Sequence, residues 1–315
     1  MLINKEIGRF DIDEINKMLI SDPKGTIEKA EAFYDGQLKE IAEIISQDLN
    51  RHKVIMLSGP SCSGKTTTAL KLEDILKKKG IISYTISLDD FFMDRDKVPL
   101  NEKGKPDFES VYTLKIDLLE KTLKSLARGD ETWLPKFDFE TGKRQDNARK
   151  MRLLDNEIAI VEGIHALNDL VLDHIPKENS FKIYIGLRSN YMKNDVLYVA
   201  KNELRLLRRT VRDHKFRNHS ALKTWDMWSD VRNGERKYII PFSGRADAVI
   251  NSAFSYELSE IKPFALPLLE ELFDTVHESK AKLLYKALKD LPDIDMELVP
   301  KTSLLREFTG GSIFY

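Results

Sequence analysis

Cysteine is nearly absent from this sequence, which has one in 315 residues, so no disulfide can form within the chain. Such cysteine usage fits a reducing cytoplasm. The formal net charge is −1, which gives no overall reason to expect nucleic acid or an anionic membrane as a partner. No apolar run approaches the roughly 18 residues of a membrane-spanning helix, and the charged start does not resemble a signal peptide. These absences predict a soluble cytoplasmic protein.

Apolar segments typical of buried strands alternate with helical patterns along the middle of the chain. Val54–Ser58 is a continuous apolar run, as expected for a strand of a parallel sheet. Further strands are predicted at 81–87, 157–161, 181–187 and 248–250. A helix is predicted over 66–79. This alternation implies right-handed crossovers, and therefore an α/β fold whose parallel, doubly wound sheet is covered on both faces.

The chain is predicted to divide into three regions. Residues 1–50 form a polar, helical N-terminal lead-in, in which Ile15, Leu19 and Ile20 share a helix face. Residues 51–255 form the main domain, and 256–315 form a C-terminal helical extension. Within the main domain, the polar stretch from about 93 to 142 is interpreted as an insertion above the strand ends.

A phosphate-binding motif follows the first of these strands. Residues 59–66 read GPSCSGKT and match G-x-x-x-x-G-K-[ST] between a buried strand and a helix, which is the context the motif requires. In such a loop the backbone N–H groups face phosphate oxygens, Lys65 reaches the β- and γ-phosphates, and the Thr66 hydroxyl binds Mg²⁺. Cys62 is either a small residue that fits the loop or a thiol made reactive by the helix N-terminus. The residues predicted to bind ATP are Gly59, Ser61, Cys62, Ser63, Gly64, Lys65, Thr66 and Thr67.

Carboxylates stand at the ends of two other predicted strands. The second strand runs into Asp89 and Asp90, and the third ends at Glu162. Phosphoryl transfer needs a Mg²⁺ ligand and a group that orients or deprotonates the acceptor, and in a parallel sheet such groups gather at the carboxyl ends of strands. Strand-terminal carboxylates are also common as helix caps. The residues alone do not distinguish Asp89 from Asp90.

Several motifs together resemble one known family. The segments GPSCSGKT (59–66), SLDDFF (87–92), PKFDFETGKR (135–144), IVEGIHALN (160–168) and RRTVRD (208–213) are similar, in order and spacing, to the uridine kinase and phosphoribulokinase family of P-loop kinases. Its bacterial uridine kinase-like members are the most similar. The resemblance covers about residues 50–255. It implies that Asp89 accepts the acceptor's proton and helps to hold Mg²⁺, that Glu162 is a further Mg²⁺ ligand, and that Asp90 is structural.

A basic segment follows the fourth predicted strand. Arg205, Arg208, Arg209 and Arg212 are three or four residues apart and share a helix face. A solvated face or an RNA-binding patch would have this composition, although no recognisable RNA-binding motif accompanies it. The family resemblance implies instead a lid at about 201–219 that closes over the nucleotide. Arg208, Arg209 and Arg212 would then stabilise charge on the transferred phosphoryl group, with Arg217 as a further candidate.

The acceptor pocket is expected within the insertion. The resemblance implies that Asp107 holds ribose hydroxyls and that Phe137 and Phe139 lie beside a base, although the two aromatic residues could equally form a small satellite core. Phe92 stands where the resemblance leads us to expect a tyrosine near the nucleoside. Gly142 stands where it leads us to expect a histidine that hydrogen-bonds to the pyrimidine. His165 is a further candidate for substrate contact.

The sequence therefore predicts a cytoplasmic ATP- and Mg²⁺-dependent kinase of a small-molecule hydroxyl, with a uridine-like nucleoside as the favoured acceptor. The alternatives are a kinase of the same fold acting on a sugar phosphate or a vitamin precursor, and a non-catalytic nucleotide-sensing or RNA-associated protein. Nucleic acid and membranes are not expected as partners. The C-terminal residues are interpreted as packing or as the surface of a homo-oligomer.

Overall fold

The centre of the computed structural model is a parallel sheet. The structure describes residues 8–102, 104–173, 175 and 179–314. The central strands are β2 (Val54–Ser58), β3 (Ile82–Ser87), β6 (Glu157–Glu162), β7 (Ser180–Gly186) and β10 (Ala248–Asn251). Their order is β10-β7-β2-β6-β3, and every neighbouring pair is parallel. All five strands predicted from the sequence are confirmed, with their ends displaced by one residue at most.

Helices cover both faces of this sheet. They are α1 (Ile12–Ser21), α2 (Pro23–Gln47), α3 (Lys65–Lys78), α4 (Ile116–Arg128), α5 (Asp169–Leu172), α6 (Lys201–Arg217), α7 (Ala221–Tyr238), α8 (Glu257–Glu270), α9 (Glu278–Lys289) and α10 (Arg306–Thr309). Successive side chains of a strand point to opposite faces. Accordingly, Ile55 and Leu57 of β2 pack with α2, α3, α6 and α8, while Val54 and Met56 pack with α4. The predicted doubly wound α/β fold is confirmed.

The stretch from 93 to 142 is not an insertion throughout. Its middle forms α4, whose Leu119, Leu123 and Leu126 are buried against the central sheet. These leucines recur at intervals of three and four residues, which is the period of an apolar helix face. Only the segments on either side of α4 can therefore serve as an insertion. The second of them forms an antiparallel hairpin of β4 (Thr132–Asp138) and β5 (Lys143–Met151).

The N-terminal lead-in packs onto the phosphate-loop helix. The hydroxyl groups of Tyr34 on α2 and Thr68 on α3 are hydrogen-bonded at 2.7 Å. Ile15 and Leu19 are buried as predicted, but Ile20 is 74% exposed because it is turned by about 100° from Leu19 around the helix axis. Residues 1–7 of the lead-in lie outside the described residues. The division into three regions stays a prediction.

A second, small sheet joins the lead-in to the main domain. It is formed by β1 (Gly8–Asp11), β8 (Ser189–Lys193) and β9 (Val196–Val199). The helical interpretation of the lead-in is therefore wrong at β1, which is a single strand that pairs with a distant part of the chain. None of the helices within the described residues has both the length and the apolar content to cross a bilayer.

Candidate active site

The carboxyl ends of β2, β6 and β3 lie side by side. Leu57 of β2 pairs with Glu162 of β6, which in turn pairs with Ser87 of β3. The Ser87 hydroxyl donates to the Glu162 carboxylate at 3.1 Å. Because the phosphate-binding loop follows β2 and Asp89 follows β3, the sheet register brings together three motifs that are spread over about 100 residues of the sequence.

The loop at 59–66 has the geometry of an anion-binding nest. Cys62 and Gly64 have φ angles of +59° and +88°, so the backbone N–H groups of the turn can point to one side. A Cβ at Gly59 would collide with the carbonyl oxygen of Ile185, so only glycine fits there. The Ser63 hydroxyl is buried and has no hydrogen-bond partner among the described residues. This arrangement fits a bound phosphate group.

A cavity of about 940 Å³ opens above this loop. The part of the cavity that is lined by the loop and by the arginines of α6 is called the phosphate side. The part that is lined by residues 92–113 and by β4 and its turn is called the acceptor side. The phosphate side comprises Ser61, Cys62, Gly64, Lys65, Thr66, Arg209, Arg212 and Arg217. The acceptor side comprises Phe92, Met93, Arg95, Val98, Phe108, Glu109, Thr113, Phe137 and Phe139. Asp89 and Glu162 line the same cavity.

The two strand-end carboxylates are electrostatically coupled to Lys65. Burial raises the pKa of Glu162 to about 7, against the opposing effect of Lys65, and the Asp89 charge adds to the rise. Burial likewise raises the pKa of Asp89, and Lys65 again opposes it. Within the described part of the chain, His, Cys, Asp and Glu side chains nowhere gather in threes as a metal site. Mg²⁺ at phosphates commonly uses only one or two carboxylates, so Thr66, Asp89 and Glu162 fit that ion.

Asp90 differs from Asp89 in what it contacts. Its carboxylate lies 3.1 Å from the Lys136 ammonium and accepts a hydrogen bond from the Phe137 N–H at 3.2 Å. It therefore ties the turn after β3 to strand β4, away from the cavity lining. Asp89 is the member of the pair that lines the cavity.

Three arginines of α6 converge on one buried carboxylate. Arg209, Arg212 and Arg217 lie 3.3, 2.6 and 3.6 Å from the oxygens of Asp213, which is 1% exposed. Arg209 also donates to the Ser61 hydroxyl of the phosphate-binding loop at 2.9 Å. All three arginines line the cavity. Asp213 thus holds three cations beside the place where phosphates are expected.

Arg208 does not belong to this group, contrary to the sequence prediction. Its side chain is fully buried and is paired with Glu257 of α8. It also donates to the Cys62 carbonyl at 3.2 Å and to the Ser252 carbonyl at 2.7 Å. Helical spacing placed Arg208 on one face with Arg209 and Arg212, but that face straddles the boundary between the core and the cavity. Arg208 braces the loop from behind.

The predicted aromatic residues lie together on the acceptor side. The ring centroids of Phe92 and Phe137 are 5.9 Å apart, and those of Phe137 and Phe139 are 5.1 Å apart, both edge to face. Phe137 is buried, whereas Phe139 is 58% exposed at the rim. Gly142 has a φ of +70°, and the space beside its Cα is filled by the Arg95 side chain. These rings offer an apolar surface for a flat group.

Two predicted substrate contacts do not line the cavity. The Asp107 carboxylate accepts a hydrogen bond from the Tyr238 hydroxyl at 3.4 Å. Glu109, two residues later, lines the cavity in its place. Burial raises the pKa of Glu109 to about 7, against the opposing charge of Arg209. His165 is buried edge-on against Tyr238, and burial lowers its pKa to about 4, so it is a neutral core residue behind the wall that Gly163 and Ile164 form.

Sequence reasoning missed three functional candidates. Glu109 had no motif of its own, and Asp213 was visible only as the last letter of the RRTVRD segment. Glu307, in the C-terminal residues, lines the cavity and contacts Thr67, the residue that follows the phosphate-binding loop. Its contact spans 240 residues of chain. No local pattern could have predicted it.

Comparison with known proteins shows the family of this chain. The model of the Phosphoribulokinase / Uridine kinase family matches residues 54–259, which is well over half of the chain. This chain belongs to that family. Its P-loop, its strand-end carboxylates and its α6 arginines all fall within the matched residues.

Individual relatives are distant. Uridine kinase of Macrococcus caseolyticus is 25% identical over 206 residues, which cover 64% of this chain and 89% of that protein. Uridine kinase of Geobacillus kaustophilus is 25% identical over 231 residues, or 73% of this chain and 97% of that protein. The crystal structure of a putative fructose transport system kinase from Silicibacter has a TM-score of 0.50, 17% identity, and coverage of 67% of this chain and 98% of that one. At this identity the structural likeness shows the fold alone.

Proposed function

We propose that this protein is an ATP-dependent kinase that phosphorylates the 5′-hydroxyl of a nucleoside. The observation that carries the proposal is the composition of the single cavity in which Asp89 lies. One side presents a phosphate-binding loop with three arginines, and the other presents phenylalanine rings with Glu109. A nucleoside has the matching parts, because its base can stack on aromatic rings and its sugar hydroxyls can bond to a carboxylate.

The proposed reaction is an in-line displacement at the γ-phosphorus. The bond from the acceptor oxygen to phosphorus forms, the bond from phosphorus to the β,γ-bridging oxygen breaks, and ADP leaves. Asp89 accepts the hydroxyl proton, while Lys65 and the loop N–H groups hold the phosphates. Arg209, Arg212 and Arg217 balance negative charge on the transferred group. Thr66, Asp89 and Glu162 would hold Mg²⁺, which when bound neutralises phosphate charge.

One observation weighs against the RNA-associated alternative. An RNA-binding patch needs an exposed basic face, and Arg205, Arg208 and Arg209 are 3%, 0% and 7% exposed. Among small-molecule acceptors, the phenylalanine rings of the acceptor side favour one that carries a flat base.

The deciding experiment measures ADP formation with a panel of nucleosides, sugar phosphates and vitamin precursors. We expect turnover with a nucleoside, and a loss of about 10²- to 10⁴-fold in kcat in Asp89→Asn, because the group that accepts the proton is removed. The matched control is Asp117→Asn, an exposed aspartate in the first turn of α4. It should retain wild-type activity.

Each other outcome of this panel has a distinct meaning. Turnover with a sugar phosphate alone would contradict the nucleoside proposal and leave the kinase proposal standing. Binding of Mg·ATP without turnover on any acceptor would contradict both and favour a nucleotide sensor. Equal activity in Asp89→Asn and wild type would remove Asp89 from its proposed role.

A further inference from the structure

The C-terminal segment, which we define as Leu304 to Ser312, forms part of the cavity wall. Its Arg306, Glu307, Gly310, Gly311 and Ser312 line the same space as Lys65 and Thr66. The segment lies outside residues 54–259, which carry the family match. Its contacts with the phosphate-binding loop therefore lie outside what the family match covers.

The segment is anchored on both sides of Glu307. Leu304 is fully buried beneath the loop, and it lies so close that a Cβ at Gly64 would collide with it. The Phe308 ring lies 4.8 Å from the Arg208 guanidinium. The Thr309 hydroxyl donates to the buried Glu260 carboxylate at 2.6 Å. The buried contacts of these neighbouring residues therefore fix the position of Glu307 at the loop.

The Glu307 carboxylate is bonded to donors that a phosphate would use. It accepts a hydrogen bond from the Thr67 hydroxyl at 2.6 Å and a longer one from the Thr67 N–H at 3.4 Å. Thr67 lies in the first turn of α3, where N–H groups lack partners within the helix and face anions bound by the loop. Gly64, the N-cap of α3, has no side chain to satisfy them. Thr67 is also one of the residues that the sequence analysis predicts to bind ATP.

A carboxylate and a phosphate cannot both take these donors. Thr67 is completely buried while Glu307 covers it. Two anions in contact with the same hydroxyl would repel each other, and the repulsion is strong in a partly buried site. One of them must leave.

We propose that Glu307 and a nucleotide phosphate compete for the donors of Thr67, and that a nucleotide binds by displacing Glu307 and the C-terminal segment around it. The segment thereby acts as an internal competitor that lowers the affinity for nucleotide. This proposal rests on the proposed function only in taking Mg·ATP as the ligand. The opposite arrangement, in which Glu307 stays on Thr67 and supports the bound nucleotide, predicts the opposite results in both experiments below.

The first experiment compares the Kd of Mg·ATP for wild type and Glu307→Gln by calorimetry. Glutamine keeps the shape but loses the charge, and hydrogen bonds to charged groups are about twice as strong as neutral ones. We expect the Kd to fall by about tenfold, and further in Glu307→Ala. The matched control, Glu297→Gln, changes an exposed glutamate nearby in the chain and should leave the Kd unchanged. An unchanged or higher Kd in Glu307→Gln overturns the proposal.

The second experiment needs no variant and is independent of how the variants fold. Hydrogen exchange of residues 304–312 is measured in the full chain with and without saturating Mg·ATP. Displacement predicts faster exchange with nucleotide, because the amides of Phe308, Thr309 and Gly310 now bond to Leu305 and Arg306 within the short helix α10. Slower exchange with nucleotide overturns the proposal. Failure of wild type to bind Mg·ATP at all would instead contradict the proposed function.

Discussion

On the phosphate side of the cavity, five lining residues lie between Ser61 and Thr66, whereas the acceptor side is lined from three separate stretches of chain at 92–98, 108–113 and 137–139. The phosphate-binding loop acts largely through backbone N–H groups, which every residue carries, and its spacing is fixed by one turn. The α6 arginines and the acceptor side act through side chains that the fold must bring together. Phosphate binding by the loop is therefore encoded locally, and the choice of acceptor is encoded in the tertiary structure.

The largest effect is expected behind the phosphate side, at Arg208. Changing Arg208 to Gln leaves the Glu257 carboxylate buried without its partner, which costs about 3–5 kcal/mol in the free energy of unfolding. Urea unfolding measures this loss. The double variant Arg208→Gln/Glu257→Gln removes both charges and should recover part of it. A single variant as stable as wild type would contradict the role of Arg208 as a structural brace.

Arg212, one helical turn away, should affect activity more than stability when it is changed. Arg212→Gln removes a cation that lines the cavity, and we expect kcat to fall by about 10²-fold because charge on the transferred group loses a partner. The free energy of unfolding should change less than in Arg208→Gln. Steady-state kinetics and urea unfolding on the same samples check both claims. Arg236→Gln, an exposed arginine of α7, is the control. If Arg208→Gln and Arg212→Gln have the same profile, the division of α6 into bracing and cavity-lining arginines is wrong.

On the acceptor side, the sharpest test is Glu109→Gln. We expect the acceptor KM to rise by about tenfold, because a hydroxyl loses a charged hydrogen-bond partner, while the Kd of Mg·ATP stays the same. Glu102→Gln is the matched control, since Glu102 is exposed in the same segment. A change in ATP affinity without a change in acceptor KM would place Glu109 on the phosphate side and would contradict the division of the cavity into two sides.

The smallest effect concerns the pH dependence of stability. Burial raises the pKa of Glu109 from 4.5 to about 7 in the folded protein. The folded state therefore binds the proton more tightly than the unfolded state, so this stabilising contribution is complete below pH 4.5 and is lost as the pH rises through about 7. Glu109→Gln should lose less stability than wild type between pH 5 and pH 8, by on the order of 1 kcal/mol.

Urea unfolding at both pH values measures this difference, with Glu102→Gln as the control that keeps the wild-type dependence. An identical pH dependence in Glu109→Gln would mean that Glu109 is solvated in the folded protein. Glu162, whose pKa burial also raises to about 7, provides the corresponding comparison on the phosphate side. The variant Glu162→Gln should likewise lose less stability than wild type between pH 5 and pH 8.

The site residues divide by how far their contacts reach along the chain. Lys65 and Thr66 were predicted because their positions relative to Gly59 and Gly64 are fixed within one turn. The burial of Arg208 could not be predicted, because the helical period gives the angle between Arg208 and Arg212 around the helix axis but not the direction in which the core lies. Asp107 and Glu109 are both acidic and two residues apart, and only the tertiary structure, in which Asp107 contacts Tyr238 at a distance of 131 residues along the chain, decides which of them lines the cavity.

The sequence by itself determined the five central strands, the phosphate-binding loop and the strand-end positions of Asp89 and Glu162, because apolar runs and turn motifs act over a few residues. Only the tertiary structure decided that α4 covers the sheet, that Arg208 faces inward and that Glu307 lies on Thr67. The physical reason is that burial depends on what packs from elsewhere in the chain. A carboxylate 240 residues from the loop has no effect on it until the fold places the two in contact.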